Sequence, residues 1–130
     1  MLFRSTQSTD TIFADQWETY QTLGNSYTPP FPEYTSGHST FSASSATIIG
    51  LITGRTDFGA SVSAKSVIEQ NNPSTPSLTL SWNTWMDSAV EAGQSRLYGG
   101  IHFDSGNLAG RQMGLDIGAQ VFDKIQNLWG

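Results

Sequence analysis

Hydrophobic positions in this chain fall into three stretches of helical spacing, separated by segments without a period. The first follows Ser36, a residue type that caps helix N-termini. It sets Phe41, Ile48, Ile49 and Ile52 on one face and stops at Gly54, which predicts a helix from about Gly37 to Thr53. A second helix is predicted to open near Thr84, with Trp85, Met86, Ala89, Val90, Gly93 and Leu97 on one face, and to end at Gly99-Gly100. The third runs from about Gly106 to Leu128, where Ile117, Val121, Ile125 and Leu128 keep the spacing. Between the first two lie the short runs Ser61 to Ile68 and Leu78 to Trp82, divided by Asn71, Asn72, Pro73 and Pro76. They predict a loop or loose hairpin. Residues 1–34 have weak periodicity: Phe13 and Trp17 suit a short helical face, and Pro29, Pro30 and Pro32 force an extended approach. The expected fold is therefore mainly α, part of a helical bundle of about three helices with an irregular or short β-like excursion. An irregular N-terminal arm over 1–34 precedes the helical region 35–130.

The third stretch carries Gly106, Gly110, Gly114 and Gly118, one glycine every four residues. Each interior glycine costs a helix about 0.8–1.0 kcal/mol against alanine, so four on one face call for compensation by close helix packing. Either an intramolecular helix contact or a self-association face supplies it. A membrane-embedded version is excluded by Asp104, Asn107, Arg111, Gln112 and Asp116 on the same helix.

Composition narrows the possible functions. One domain fits in 130 residues, with a formal net charge of −5 and no cysteine. Without a basic stripe the chain is a poor nucleic-acid binder, and no apolar run approaches the ~20 residues of a membrane span. Ser and Thr supply 31 residues, balanced by four Trp, four Tyr and seven Phe that can form a core. The composition leaves the compartment open.

Only two histidines are present, His38 and His102, both at predicted helix boundaries. Thr35-Ser36-Gly37-His38 sits where a helix begins, and a first helical turn offers unpaired N–H groups and partial positive charge to an oxyanion. An ordinary Ser cap followed by Gly is the alternative, and it needs no ligand. Arg96 falls on the last turn of the second helix, six residues before His102. Its guanidinium could fork onto two oxygens of an anion whose central atom a neutral His102 attacks or coordinates. A surface Arg at a helix C-terminus and a turn His fit the same residues equally well. Zinc is the weaker idea, since the histidines lie 64 residues apart with no Cys.

The run Pro29-Pro30-Phe31-Pro32-Glu33-Tyr34-Thr35-Ser36-Gly37-His38-Ser39-Thr40-Phe41, followed by Ser95-Arg96 and Gly100-Ile101-His102-Phe103, resembles the vanadium-dependent haloperoxidases of the phosphatidic acid phosphatase type 2 superfamily. The resemblance covers about residues 29–128, and the Phe-Pro-x-Tyr approach favours the haloperoxidase side. It implies that Ser36 and Gly37 bind the oxyanion through side chain and backbone N–H, that His38 is the acid–base residue, and that Arg96 neutralises equatorial oxygens. His102 would be the axial ligand of vanadate, or the nucleophile toward phosphate in an acid phosphatase-type phosphomonoester hydrolase. The implied small-molecule partners are peroxide and halide, or a phosphoester, and the implied location is extracytoplasmic or secreted. A non-catalytic helical interaction module with a vestigial oxyanion site is the reading from a different class.

Departures from the family pattern shape the expectation. The family's first motif, a Lys followed seven residues later by Arg-Pro, has no counterpart, because the first lysine is Lys65 and Arg4 is not followed by Pro. The chain therefore reads as the C-terminal part of a longer protein, with two cationic contacts to the anion missing. At about 1.5–3 kcal/mol for each charge-assisted bond, their loss weakens binding by roughly two to four orders of magnitude. The apolar face that upstream helices would cover is open to those helices or to a two-fold homodimer. Thr35 stands where the family has Pro, and Gly106 where it has the Asp that orients the second His. Either Asp104, two residues early, takes over that role or His102 lacks an orienting partner.

Overall fold

The computed structural model describes residues 11, 13–24, 28–65, 74 and 76–129. The first helix, α1 (Gly37–Thr53), is bounded as its sequence dictates. Ser36 keeps an extended backbone and its Oγ accepts from the Ser39 N–H at 3.4 Å, while Gly54 ends the helix in the left-handed region at φ 66°. The second helix, α2 (Trp85–Tyr98), is opened by a capping box. The Thr84 Oγ1 accepts from the Asp87 N–H at 3.0 Å and the Asp87 carboxylate accepts from the Thr84 N–H at 2.8 Å.

Between these helices the chain forms an antiparallel hairpin of β1 (Asp57–Ala64) and β2 (Leu78–Thr84), paired from Asp57 with Thr84 to Ala64 with Leu78. Strand β1 starts four residues before the predicted run. An irregularity between Asp57 and Ala60, with Gly59 at φ 62°, breaks the apparent alternation there. Predicted positions 66–68 lie outside the described residues. The Phe58 ring stacks on Trp85 at 4.1 Å and on Trp82 at 6.1 Å, which ties the hairpin to α2.

Helix α3 (Asp104–Trp129) begins two residues earlier than its periodicity suggests. Its start is capped from far away: the Phe103 N–H donates to the Glu33 carboxylate at 2.9 Å, and the Phe103 carbonyl accepts the Asn107 N–H at 3.0 Å. A carboxylate at this end also complements the helix dipole.

α1 is the central helix, packed against both α3 and α2. The glycine stripe of α3 makes the first of these contacts. A Cβ added at Gly110 would lie 2.7 Å from the Ser36 carbonyl oxygen. One at Gly118 would lie 2.8 Å from the Ser44 carbonyl oxygen, and one at Gly114 would drive into the Thr40 carbonyl and the Ala43 methyl. The stripe is thus an intramolecular surface that meets backbone carbonyls and the small side chains of Thr40, Ala43 and Thr47 on α1. The buried apolar residues are correspondingly small, namely Ala43, Ala46 and Ala89.

Large apolar side chains lie outside this contact: Phe41 is 76% exposed, Ile52 62% and Leu128 81%. Within the arm, short 3-10 turns span Ala14–Gln16 and Tyr20–Gly24. The Gln21 N–H donates to the Gly99 carbonyl at 3.1 Å, which fastens the arm to the turn between α2 and α3.

Two alanine substitutions should separate contact from propensity. Gly50→Ala in α1 meets only ordinary contact, 3.6 Å from the Arg55 carbonyl, and should stabilise by up to about 1 kcal/mol. Gly114→Ala should destabilise by about 1–3 kcal/mol despite the same propensity gain. Urea unfolding midpoints check both, and equal shifts of the same sign would show the stripe is not a contact surface.

Candidate functional site

Two chain segments distant in sequence are stitched together at the N-terminal ends of α1 and α3. The Ser36 N–H donates to the Gly106 carbonyl at 3.1 Å, and Ser39 Oγ donates to Asn107 Oδ1 at 2.6 Å. Ser39 Oγ also lies 3.0 Å from Ser36 Oγ, so two serines and an asparagine form a buried polar chain between the helices. Gly93 of α2 closes it from a third side, since a Cβ there would lie 2.6 Å from Ser39 Oγ and collide with Asn107 Oδ1. Every member is therefore pressed between backbone and hydroxyls, where an unmade hydrogen bond costs about 1–3 kcal/mol.

This seam fixes the residues singled out by the sequence. His38 lies on the first turn of α1 and is exposed. Its pKa is lowered from the ordinary 6.5 by partial desolvation first, then by the charges of Arg96 and His102. The three groups thus lie within electrostatic range although they come from different elements. Arg96, on the last turn of α2, donates from Nη2 to Gln21 Oε1 at 2.5 Å, and its Nε is buried without a hydrogen-bond partner among the described residues. Desolvation lowers its pKa, but a guanidinium stays charged at neutral pH. His102 is 7% exposed; the Phe31 ring stacks on it at 6.4 Å, and Glu33 Oε1 lies 3.5 Å from its Nδ1.

Two expectations change. The carboxylate beside His102 is Glu33 and not Asp104, which opens α3 on the exposed side. Gly106 makes that possible, because a side chain there would meet the Glu33 carboxylate. The Ser36 hydroxyl, for its part, is fully buried in the cap and the seam. Gly37 is the residue beside it with open space on its Cβ face. Helix geometry leaves the Gly37 and His38 N–H groups without intrahelical acceptors.

Glu33, Gln21, Ser39 and Asn107 were not singled out from sequence. Glu33 alone carried a signal, as the one carboxylate in a proline-fixed approach.

A half-buried guanidinium whose Nε has no partner among the described residues, first-turn N–H groups and two imidazoles are donors suited to a tetrahedral or bipyramidal oxyanion. They do not suit a carboxylate-held cation: among the described residues no group of three His, Cys, Asp or Glu could hold a metal ion. No helix among them is long and apolar enough to cross a membrane. A cavity of about 500 Å³ is a separate open groove lined by Phe41, Ile49, Phe58, Trp82 and Trp85. None of the residues above contributes to it.

Residues 3–130 match the family model described as the VCPO second helical-bundle domain. Among solved structures, the holo form of a bacterial vanadium-dependent chloroperoxidase superposes with TM-score 0.75 and 20% identity, covering 94% of this chain and 26% of that one. Its apo form gives 0.74 and 22%, over 88% of this chain and 24% of that one. A bacterial vanadium-dependent iodoperoxidase is 33% identical with TM-score 0.60, over 85% of this chain and 24% of that one. The chain thus spans about a quarter of the length of these structures. A search of the curated proteins gives no match.

The electrostatic coupling of His38 has a testable sign. Protonation is disfavoured in the folded chain, so between the lowered pKa and 6.5 the unfolded chain binds the proton first. Stability from this group is full above pH 6.5 and falls as pH drops through that interval. Arg96→Gln should raise the His38 midpoint toward 6.5 in an NMR titration and narrow the interval. A midpoint that stays put or falls would show that Arg96 does not face His38.

Proposed function

Because the chain belongs to the VCPO second helical-bundle domain family, we propose that it supplies the vanadate-binding part of a vanadium-dependent haloperoxidase-like protein. The observation that carries this reading is Arg96, a half-buried cation whose buried Nε has no hydrogen-bond partner among the described residues, within electrostatic range of His38, which His102 also influences. A buried donor left without a partner near His38 suits an anion better than a folding contact, which would have used the Nε.

When bound, vanadate supplies a Lewis-acidic centre at which peroxide is activated to oxidise halide. In this reading Arg96 balances the anion's charge, and the Gly37 N–H at the start of α1 donates to one of its oxygens. Ser36 fixes the turn that presents that N–H. His102 contributes a neutral imidazole nitrogen as ligand. His38, kept neutral near pH 7 by desolvation first and by the charge of Arg96, accepts and returns a proton of peroxide. The family's Lys and Arg-Pro motif is not among these 130 residues, so full affinity requires cationic groups from elsewhere in the whole protein.

Vanadate binding to the 130-residue chain, followed by calorimetry and vanadium NMR, tests the reading. Weak binding should be lost in His102→Ala and reduced less in His38→Ala, because the first removes a ligand and the second mainly a proton acceptor. Adding the upstream segment in one polypeptide should recover affinity by roughly two to four orders of magnitude, together with bromide oxidation. Equal binding by wild type and His102→Ala would contradict it. Hydrolysis of a phosphomonoester by the extended protein, without halide oxidation, would favour the phosphatase reading.

A further inference from the structure

The contacts of Glu33 go beyond capping α3. Its Oε1 accepts the Phe103 N–H at 2.9 Å and stands 3.5 Å from His102 Nδ1, a buried nitrogen with no hydrogen-bond partner among the described residues. A Cβ at Gly106 would collide with that same Oε1 and lie 2.8 Å from the Glu33 carboxyl carbon and 3.0 Å from Oε2. Position 106 therefore has to lack a side chain for the carboxylate to reach the ring. Phe31, two residues before Glu33, stacks on the same imidazole, so ring plane and ring edge are both held by one short proline-flanked segment.

We infer that Glu33 is the positioning residue of His102, fixing the tautomer with the proton on Nδ1 and leaving Nε2 as the ring's lone-pair nitrogen, in a space that Gly106 keeps open. The chemistry follows from the two ring nitrogens. In a neutral imidazole one is a donor and the other an acceptor, and a carboxylate at Nδ1 selects the donor there. A ligating histidine orientated in this way by a carboxylate is held in place and made more basic. The inference rests on the oxyanion reading for its consequence, but its structural content does not.

Nitrogen-15 NMR of the labelled, vanadate-free chain reads the tautomer directly. Wild type should show Nδ1–H at His102. Glu33→Ala should shift the ring toward Nε2–H, Glu33→Gln should retain Nδ1–H through its amide oxygen, and Glu33→Ala combined with Gly106→Asp should restore it by placing a carboxylate from the facing position. Should Glu33→Ala fail to fold, Gly106→Ala decides instead, since its methyl displaces the carboxylate and should shift the tautomer likewise. An unchanged His102 tautomer in a folded Glu33→Ala or Gly106→Ala variant would overturn the inference. With vanadate, Glu33→Ala should weaken affinity by about 10–100-fold. Wild type binding no vanadate at all would refute the oxyanion reading, while the tautomer result would still decide the role of Glu33.

Discussion

The contact on which this structure depends is the direct approach of helix backbones that glycine permits between α3 and α1. Where Gly110, Gly114 and Gly118 meet α1, carbonyl groups stand in the space that side chains would fill. The helix pays in propensity for each of those glycines and recovers it through dispersion between closely fitted surfaces. Because each glycine faces a carbonyl and a small side chain of α1 with no room for a Cβ, the axial register of the two helices is fixed. That register places Gly106 beside Ser36, and so sets the second histidine's turn beside the first histidine's helix.

At the end of this seam the packing turns polar. Ser36, Ser39 and Asn107 are buried and bonded to one another under Gly93, so the three helices meet at hydrogen-bonding groups rather than at a large apolar core. Such a junction is more directional than alanine packing, since a shifted helix leaves buried groups unpaired. The site residues lie around this junction. His38 on the first turn of α1 is next to Ser39, Arg96 at the end of α2 follows Gly93 by three residues, and His102 stands four residues before Gly106 at the start of α3. The junction that stabilises the fold thus also sets where the two histidines and Arg96 sit.

Much of this was legible in the sequence because it is encoded locally. Ser36 and Gly54 bound α1, Thr84 and the double glycine bound α2, and the glycine period announces a close contact without naming its partner. What was not legible is encoded across the chain. Helix α3 starts early because a carboxylate 70 residues away caps it, and no pattern around Phe103 reports that. The orienting role was sought at Asp104 because it is near His102 in sequence, whereas the structure brings Glu33 there through the vacancy at Gly106. The start of strand β1 was hidden by the glycine at its irregularity, which breaks the alternation over Asp57 to Ala60. The hydroxyl of Ser36 caps α1 and joins the seam through Ser39, a bond to a residue three positions on that the N-cap pattern itself announces.

Hydrogen exchange tests most directly whether the glycine contact builds the site. Two amides join the segments, the Ser36 N–H bonded to Gly106 and the Phe103 N–H bonded to Glu33. In Gly110→Ala the added methyl presses on the Ser36 carbonyl. Both amides should then lose protection by the same factor, about tenfold for each 1.4 kcal/mol lost from a shared opening. Retention of protection at Phe103 while Ser36 exchanges freely would show that the two segments are held independently, and would contradict the account.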